Sequence, residues 1–558
     1  MKGQVFTLRE EAPSDDELID IWKEVYPSQA YLQGWNDCAG RFFVPSRSNV
    51  KRMLKKIKAL KARSTDGVRR KILEAIEADV SFEEPQPVLD GILSSIYAHL
   101  VKEGVNEEHL KSLLKESVEA LDETLNHFKS RKVTIPVRVL TMYRLDGLVM
   151  ILKTVKEHTK SNTLKQECDT AADSVKRFVS TFEVKGFGHG TFEEVERLFK
   201  AHGFDMGRKS FYSGIIRKAF DYSETPKQLE SKAIMWIDRE LPFFRSVIMK
   251  LSKHYGCEQS VEAVDRAIGE RYGFKPADIV DLTKEVRSII QEFVDQDVGG
   301  IHPDYRTSVV ETPDYLSGVI PTAAAQFFDT FTTRPYQHYF VTTDPKRDPI
   351  TNVPQMIDTL VHEEYGHCVH HFNSAMRFAA KPKNIELIFT PLAGAITEGI
   401  AFNRELEFLE ATKAVEDKKP ISNAEKRYVS MLERFGGVHL LNMEIEFEVR
   451  KWRLIRFLRV VGDVRVNTGK QSLSEFLTWA HRKTGVSRSS MYYQLFPAHE
   501  GSFPGYATTY AIVGEEIREI EKKIRDRNKR IRFSTYVTSL GFPPRTAFKQ
   551  RLLNFLKE

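Results

Sequence analysis

The chain has 558 residues, 41% of them hydrophobic, which is ample for a large core and allows roughly two to four domains, or one large helical body with a deep cleft. Its 83 basic and 77 acidic residues leave a formal net charge of +6, a small surplus in a heavily charged chain, so charge makes no case for a nucleic-acid partner. The four cysteines, Cys38, Cys168, Cys257 and Cys368, form no Cys-x-x-Cys pair and are too scattered for a disulfide framework, as expected of reduced thiols in a cytoplasmic protein.

Met1 to Thr7 leads straight into acidic residues with no apolar stretch of signal-peptide length. Nowhere do about 18 apolar residues follow one another. The expectation is a soluble, cytoplasmic protein that does not enter a membrane. The first 295 residues read as helix after helix. The clearest helix starts at Asn106, a plausible N-cap. Leu110, Leu113, Leu114, Val118, Leu121, Leu125 and Phe128 recur at spacings of three and four, one buried stripe. Similar stripes lie around 50–80, 140–157, 164–182, 228–255 and 275–295. The basic runs Lys51 to Arg70 and Lys522 to Arg532 read as solvated helix faces, with an RNA- or membrane-binding face as the alternative.

The character changes at Gly299-Gly300, and a short sheet is expected within 300–345. Tyr336 to Thr343 reads as a strand between Pro335 and the turn formers Asp344-Pro345. Helical patterning returns at Pro354, with a loop or break near Gln494 to Pro504 and a last helical region over 505–532. The expected fold is mainly α: a large helical body in which 1–295 forms one wall of a cleft and 296–558 the catalytic region, with the small β-sheet beside the motif helix.

That helix, 354–376, contains His362-Glu363-Glu364-Tyr365-Gly366-His367. The zinc signature His-Glu-x-x-His puts two histidines four apart on one helical face. Here they are five apart. At about 100° per residue, four residues return to within ~40° of the same face and five overshoot to ~140°. A π-bulge absorbs such an extra residue, and Gly366 is where the backbone yields most easily. His367 and His371 form an alternative pair, four apart, but Cys368 stands where their general base would be. A catalytic zinc needs a third protein ligand and an open position. Glu398, in Ala395-Ile396-Thr397-Glu398-Gly399-Ile400-Ala401 on the helix expected at 392–412, is the candidate, because a glutamate among small apolar residues wants a cation or a proton. Glu405, two turns on, and Asp358, one turn before His362, are candidates to brace a ligand histidine.

These residues resemble the gluzincin peptidases. Without one residue, His362 to His371 would read almost as the His-Glu-Phe-Gly-His-Ala-x-His-His helix of the thimet oligopeptidase and oligoendopeptidase family. A family of zincin-like proteins carries a lengthened His-Glu-x-x-Pro-Gly-His helix followed by Glu-Gly-Trp-Ala, similar to Glu398-Gly399-Ile400-Ala401, and dipeptidyl peptidase III shares the one-residue expansion. Tyr365 replaces the proline of that motif and Ile400 its tryptophan. His499 to Tyr510 resembles the Gly-Tyr-x-Ala-x-Tyr-Tyr segment of the oligopeptidases, and the likeness covers about residues 330–520. The resemblance implies one zinc per chain on His362, His367 and Glu398, with Glu363 as general base and Tyr510, Tyr506 or His499 donating to the oxyanion. It implies a peptidase of short peptides, and the strand at Tyr336 to Thr343 is expected to bind a peptide by strand addition. Two rivals stand beside it: a zinc hydrolase of non-peptide amides or of carboxypeptidase type, and a non-catalytic helical RNA-binding protein.

Overall fold

The computed structural model describes residues 15–558 apart from 189, 315, 318, 319, 321, 348, 380–382, 418, 419 and 502. The N-terminal residues Met1 to Thr7 therefore lie outside the described part. Local sequence signals start and stop the helices. Asn106 accepts the His109 amide and opens the helix Glu107–Phe128, as its cap predicts. Thr225 and Gln228 form a reciprocal capping box before Pro226, and the 30-residue helix α1 (Pro226–Tyr255) ends at Gly256 in the left-handed region. The helix α2 (Ile279–Phe293) runs into a π-helical turn, Val294–Val298, which stops at Gly299 and Gly300, both with positive φ.

The fold is mainly α with one small sheet. Its strands are β1 (Thr307–Glu311), β2 (Ala323–Phe328) and β3 (Tyr336–Val341), in the order β1-β3-β2. β3 pairs parallel with β1 and antiparallel with β2. The strand expected at Tyr336 is therefore present but central, paired on both sides. It cannot accept a peptide as an added strand, whereas the outer edge of β2 can.

Three later helices carry the candidate residues. A continuous helical run, α3 (353–378), consists of Val353–Thr359, a π-helical stretch Leu360–Cys368 and Val369–Phe378. It is followed by α4 (Pro391–Glu416) and by the 30-residue α5 (Val438–Asn467). The region expected as one helix over 505–532 is instead a 3-10 turn at Tyr506–Thr508, the helix α6 (Thr509–Glu521) and, after a break, Arg527–Val537. The interruption expected at Gln494 to Pro504 contains a π-helical turn, Phe496–Glu500.

Residues distant in sequence share the cores. Tyr212, Trp236 and Phe244 of the N-terminal half pack with Phe402, Phe457 and Val513. Beneath the sheet, Phe293, Tyr339, Leu360, Tyr365 and Tyr428 form a second cluster that holds α3 in place. Full burial of each such side chain contributes about 1.5–3 kcal/mol. The Lys51 to Arg70 run sits on two helices, Arg47–Arg63 and Gly67–Val80. Arg52 and Lys56 pair with Glu24, Lys61 with Glu77 and Arg63 with Glu17, so acids of neighbouring helices balance much of that face. No helix among the described residues is long and apolar enough to cross a membrane.

Candidate metal centre

The five-residue spacing of the two motif histidines is resolved by the backbone. Leu360–Cys368 is π-helical, so each turn takes up the extra residue and His362 and His367 fall on one side. Their ring centroids lie 4.8 Å apart. Gly366 lies within that π-helical stretch, without a positive φ. Its role is space: a Cβ there would lie 2.5 Å from Ala401 Cβ and 2.6 Å from Ala401 Cα, so α3 and α4 touch backbone to backbone. Gly366 thus lies in the distorted stretch, as expected, and in addition allows this close approach.

That contact brings Glu398 of α4 to the histidines. Glu398 Oε2 lies 3.6 Å from His362 Nε2 and 3.5 Å from His367 Nε2. A tetrahedral ion with bonds of about 2.0–2.1 Å holds its ligand atoms about 3.4 Å apart. Oε2 is sealed from solvent and has no hydrogen-bond partner. Glu398 Oε2 thus stands at about that spacing from each histidine Nε2, and a donor set of two imidazoles and a carboxylate fits zinc. The group of His, Cys, Asp or Glu donor atoms that all lie within 4.8 Å of one another among the described residues is His362, Glu363 and His367, with Glu398 outside it.

The surroundings fix the ligands. His362 Nδ1 donates to Glu405 Oε1 at 2.7 Å, which leaves Nε2 for the ion, and Arg456 Nη1 donates to Glu405 Oε2 at 2.6 Å. The Tyr506 hydroxyl donates to Glu398 Oε1 at 2.8 Å. Asp358 makes no such contact with His362: it is buried, its Oδ1 has no partner, and burial with the nearby Glu405 charge pushes its pKa well up. Glu405 braces the histidine, and Asp358 does not.

The ionisation states match a site built for a cation. Burial would raise Glu398, yet His367, His362 and the Tyr506 hydroxyl hold its pKa down to about 2. Burial and the Arg456 charge oppose a proton on His362, but Glu398 and Glu405 prevail and carry its pKa up to about 9. Burial pushes His367 down. His371 lies flat against Phe327, with centroids 3.3 Å apart, and neither of its ring nitrogens has a partner. Burial drives its pKa well down, and with neither a carboxylate nor another histidine nitrogen as partner it takes no part in the geometry of His362, His367 and Glu398. The alternative pair His367 and His371 is not assembled.

Around this point stand the candidate catalytic groups. Glu363 is partly exposed and accepts the Ala325 amide of β2 at 3.2 Å, so it faces the free edge of the sheet. The adjacent Glu364 is instead buried, paired with Arg287 at 2.7 Å and with the Tyr305 hydroxyl at 3.2 Å. The Tyr510 ring stacks on His362 with centroids 6.3 Å apart, and its hydroxyl lies 3.4 Å from His499 Nε2. Burial and the Arg459 charge push His499 well below the usual histidine range, so it is neutral. Ser502, within the same segment, lies outside the described residues. Sequence reasoning missed Arg456 and Arg459, both on α5, because neither belongs to a motif and α5 carries many arginines.

The chain matches no family model and no curated protein. It does match solved structures over nearly its whole length. One is described as "a putative lipoprotein of unknown function from Shewanella oneidensis"; it has a TM-score of 0.64 and 16% identity, over 97% of this chain and 98% of that one. Another, "the putative lipoprotein from Colwellia psychrerythraea", has a TM-score of 0.58 and 12% identity, over 97% and 99%. At these identities the likeness is one of fold alone.

Proposed function

We propose that the protein is a zinc-dependent metallopeptidase that hydrolyses short peptides, with the ion held by His362, His367 and Glu398. The observation that carries the reading is the buried, unpartnered Glu398 Oε2 aimed between two histidine Nε2 atoms at 3.5 and 3.6 Å. When bound, zinc supplies a lowered pKa for water and polarisation of the substrate carbonyl.

The chain's own residues account for the remaining chemistry. Glu363 takes the proton of the attacking water and passes it to the leaving amine. Tyr506 is committed to Glu398 and keeps that carboxylate in place, so Tyr510 is the better donor to the oxyanion, with neutral His499 orienting its hydroxyl. The free edge of β2, whose Ala325 amide already meets Glu363, supports binding of an extended peptide beside the base. We propose a cytoplasmic location, supported by four scattered free thiols. The name lipoprotein carried by the two similar structures argues instead for membrane attachment, and fractionation of cells expressing the chain separates the two.

The test is metal content and digestion of a mixed peptide library by wild type and by Glu363→Gln. About one zinc per chain in both, with cleavage reduced about 10²–10⁴-fold in the variant, is the expected result. Zinc without cleavage of any peptide would move the search to other amides. Absence of metal from both proteins would overturn the site.

A further inference from the structure

Of the arginines buried among the described residues, all but one lie within ion-pair distance of a carboxylate. The pattern is plain on α5. Arg453 pairs with Glu515 at 2.5 Å, Arg456 with Glu405 at 2.6 Å and Arg465 with Glu230 at 2.6 Å. Arg459 is the exception. It is 5% exposed, and its Nε donates to the Gln494 carbonyl at 3.0 Å and its Nη2 to Gln494 Oε1. Both acceptors are neutral. Nη1 has no partner among the described residues and is not sealed from solvent.

A buried cation without a counter-ion costs several kcal/mol. Arg456, on the same face one turn earlier, repels this one further, and burial pulls the Arg459 pKa down to about 10. Glu398 is the carboxylate that bears on it, but one Glu398 oxygen accepts from Tyr506 and the other points at the histidines. The position of Arg459 is equally specific. Its guanidinium carbon sits 5.1 Å from the centre of the Tyr510 ring, and that ring stacks on His362. The two centroid separations place Arg459 no more than about 11 Å from the His362 ring, a span of up to about three extended residues.

We propose that Arg459 binds the free C-terminal carboxylate of the substrate, so that the enzyme is an exopeptidase that releases a short C-terminal piece. The proposal rests on the peptidase reading and adds its substrate class. A guanidinium presents a planar fork that matches a carboxylate bidentately, and the incoming anion supplies the charge the protein withholds. In the reaction the C–N bond breaks, the water hydroxyl joins the acyl carbon and the water proton goes to the leaving amine. The released fragment keeps its carboxylate on Arg459 and gains a free amino terminus.

The experiment compares one short peptide as its free acid and as its C-terminal amide, with zinc-loaded wild type and Arg459→Gln. Charge-assisted hydrogen bonds of about 1.5–3 kcal/mol predict an acid-over-amide preference in kcat/KM of roughly 10–150-fold for wild type. In Arg459→Gln the ratio should fall toward one, and in Arg459→Lys it should lie between. Equal cleavage of acid and amide by wild type overturns the proposal without any variant. So does a ratio left unchanged in Arg459→Gln while both rates fall, which would mean an oxyanion or structural role. If wild type cleaves neither peptide, the peptidase reading fails and calorimetry decides the rest. Tighter binding of acid than amide, lost in Arg459→Gln, would keep the carboxylate site, and equal binding would end it.

Discussion

Glu398 and Glu500 are both buried glutamates at the end of a cluster of charged side chains, and the protein holds them in opposite states. Glu500 belongs to an internal network, although its Oε1, like Glu398 Oε2, is sealed from solvent and accepts no hydrogen bond. Arg208 Nη1 and Asn467 Nδ2 both donate to its Oε2 at 2.9 Å, Arg208 also pairs with Glu84 at 2.6 Å, and the Tyr212 hydroxyl and the Gly505 amide serve Asp463. Burial and the Asp463 charge push Glu500 well up, and burial raises Asp463 as well. Glu398 is held ionised, with one oxygen aimed between two histidines and bonded to nothing. Burial of charge is common to both regions. Each keeps one buried acceptor unpartnered, and what distinguishes the binding centre is what that acceptor faces: two histidine nitrogens at Glu398, against a neighbouring acid at Glu500.

The same substitution at the two glutamates gives the largest contrast. Glu398→Gln removes an anionic ligand and is expected to abolish retained metal and with it peptide hydrolysis, read as zinc per chain after gel filtration. Glu500→Gln replaces a carboxyl whose pKa is pushed well up by an amide of similar shape. It should keep about one zinc per chain and shift unfolding free energy by about 1 kcal/mol or less in a urea titration. Equal loss of metal in both variants would erase the distinction.

The next effect is smaller and concerns the brace. Glu405→Gln should weaken zinc binding by about 10–100-fold, measured by competition with a chelator, because His362 loses the carboxylate that fixes its tautomer. Unchanged affinity would show that Glu405 serves Arg456 rather than the ligand.

The smallest effect is a slope. Without metal, His362 has its pKa raised to about 9, above its ordinary value of 6.5. Metal must displace that proton, so apparent zinc affinity should rise about tenfold per pH unit up to about pH 9 and level off above it. The metal-free protein should show the complementary trend. A group whose pKa is raised on folding stabilises below its unfolded value, so this contribution is complete below pH 6.5 and is lost as pH rises toward about 9. A flat affinity profile between pH 6.5 and 9 would mean that His362 carries no such proton.

Much of this centre is legible in the chain, because its signals are local. The five-residue step from His362 to His367 demands a π-helical turn, and Glu398 among small residues demands a partner. Glu405 falls two helical turns further on and meets His362. What the sequence hides is long-range. Nothing in Ala323–Phe328, which begins with three alanines, marks it as the edge strand, whereas Tyr336–Val341 reads strongly as a strand because it is central and buried. Arg456 and Arg459 look alike on α5, and only the carboxylate that reaches one of them from another helix separates the two. The basic run at Lys51 is ambiguous for the same reason, since its partners Glu17, Glu24 and Glu77 lie on other faces or helices.

The contact between Gly366 and Ala401 has a further consequence. Side chains can give by a few tenths of an ångström, but here Gly366 brings no side chain and meets the methyl group and main chain of Ala401 directly. The ligand-bearing helices α3 and α4 therefore act as a fixed gauge. An ion that asks for bonds of about 2.3–2.6 Å, as calcium does, would have to force the helices apart, whereas one satisfied near 2.0–2.1 Å takes the opening as it stands. Discrimination by ionic radius is in this way written into a single missing side chain, away from any atom that touches the metal.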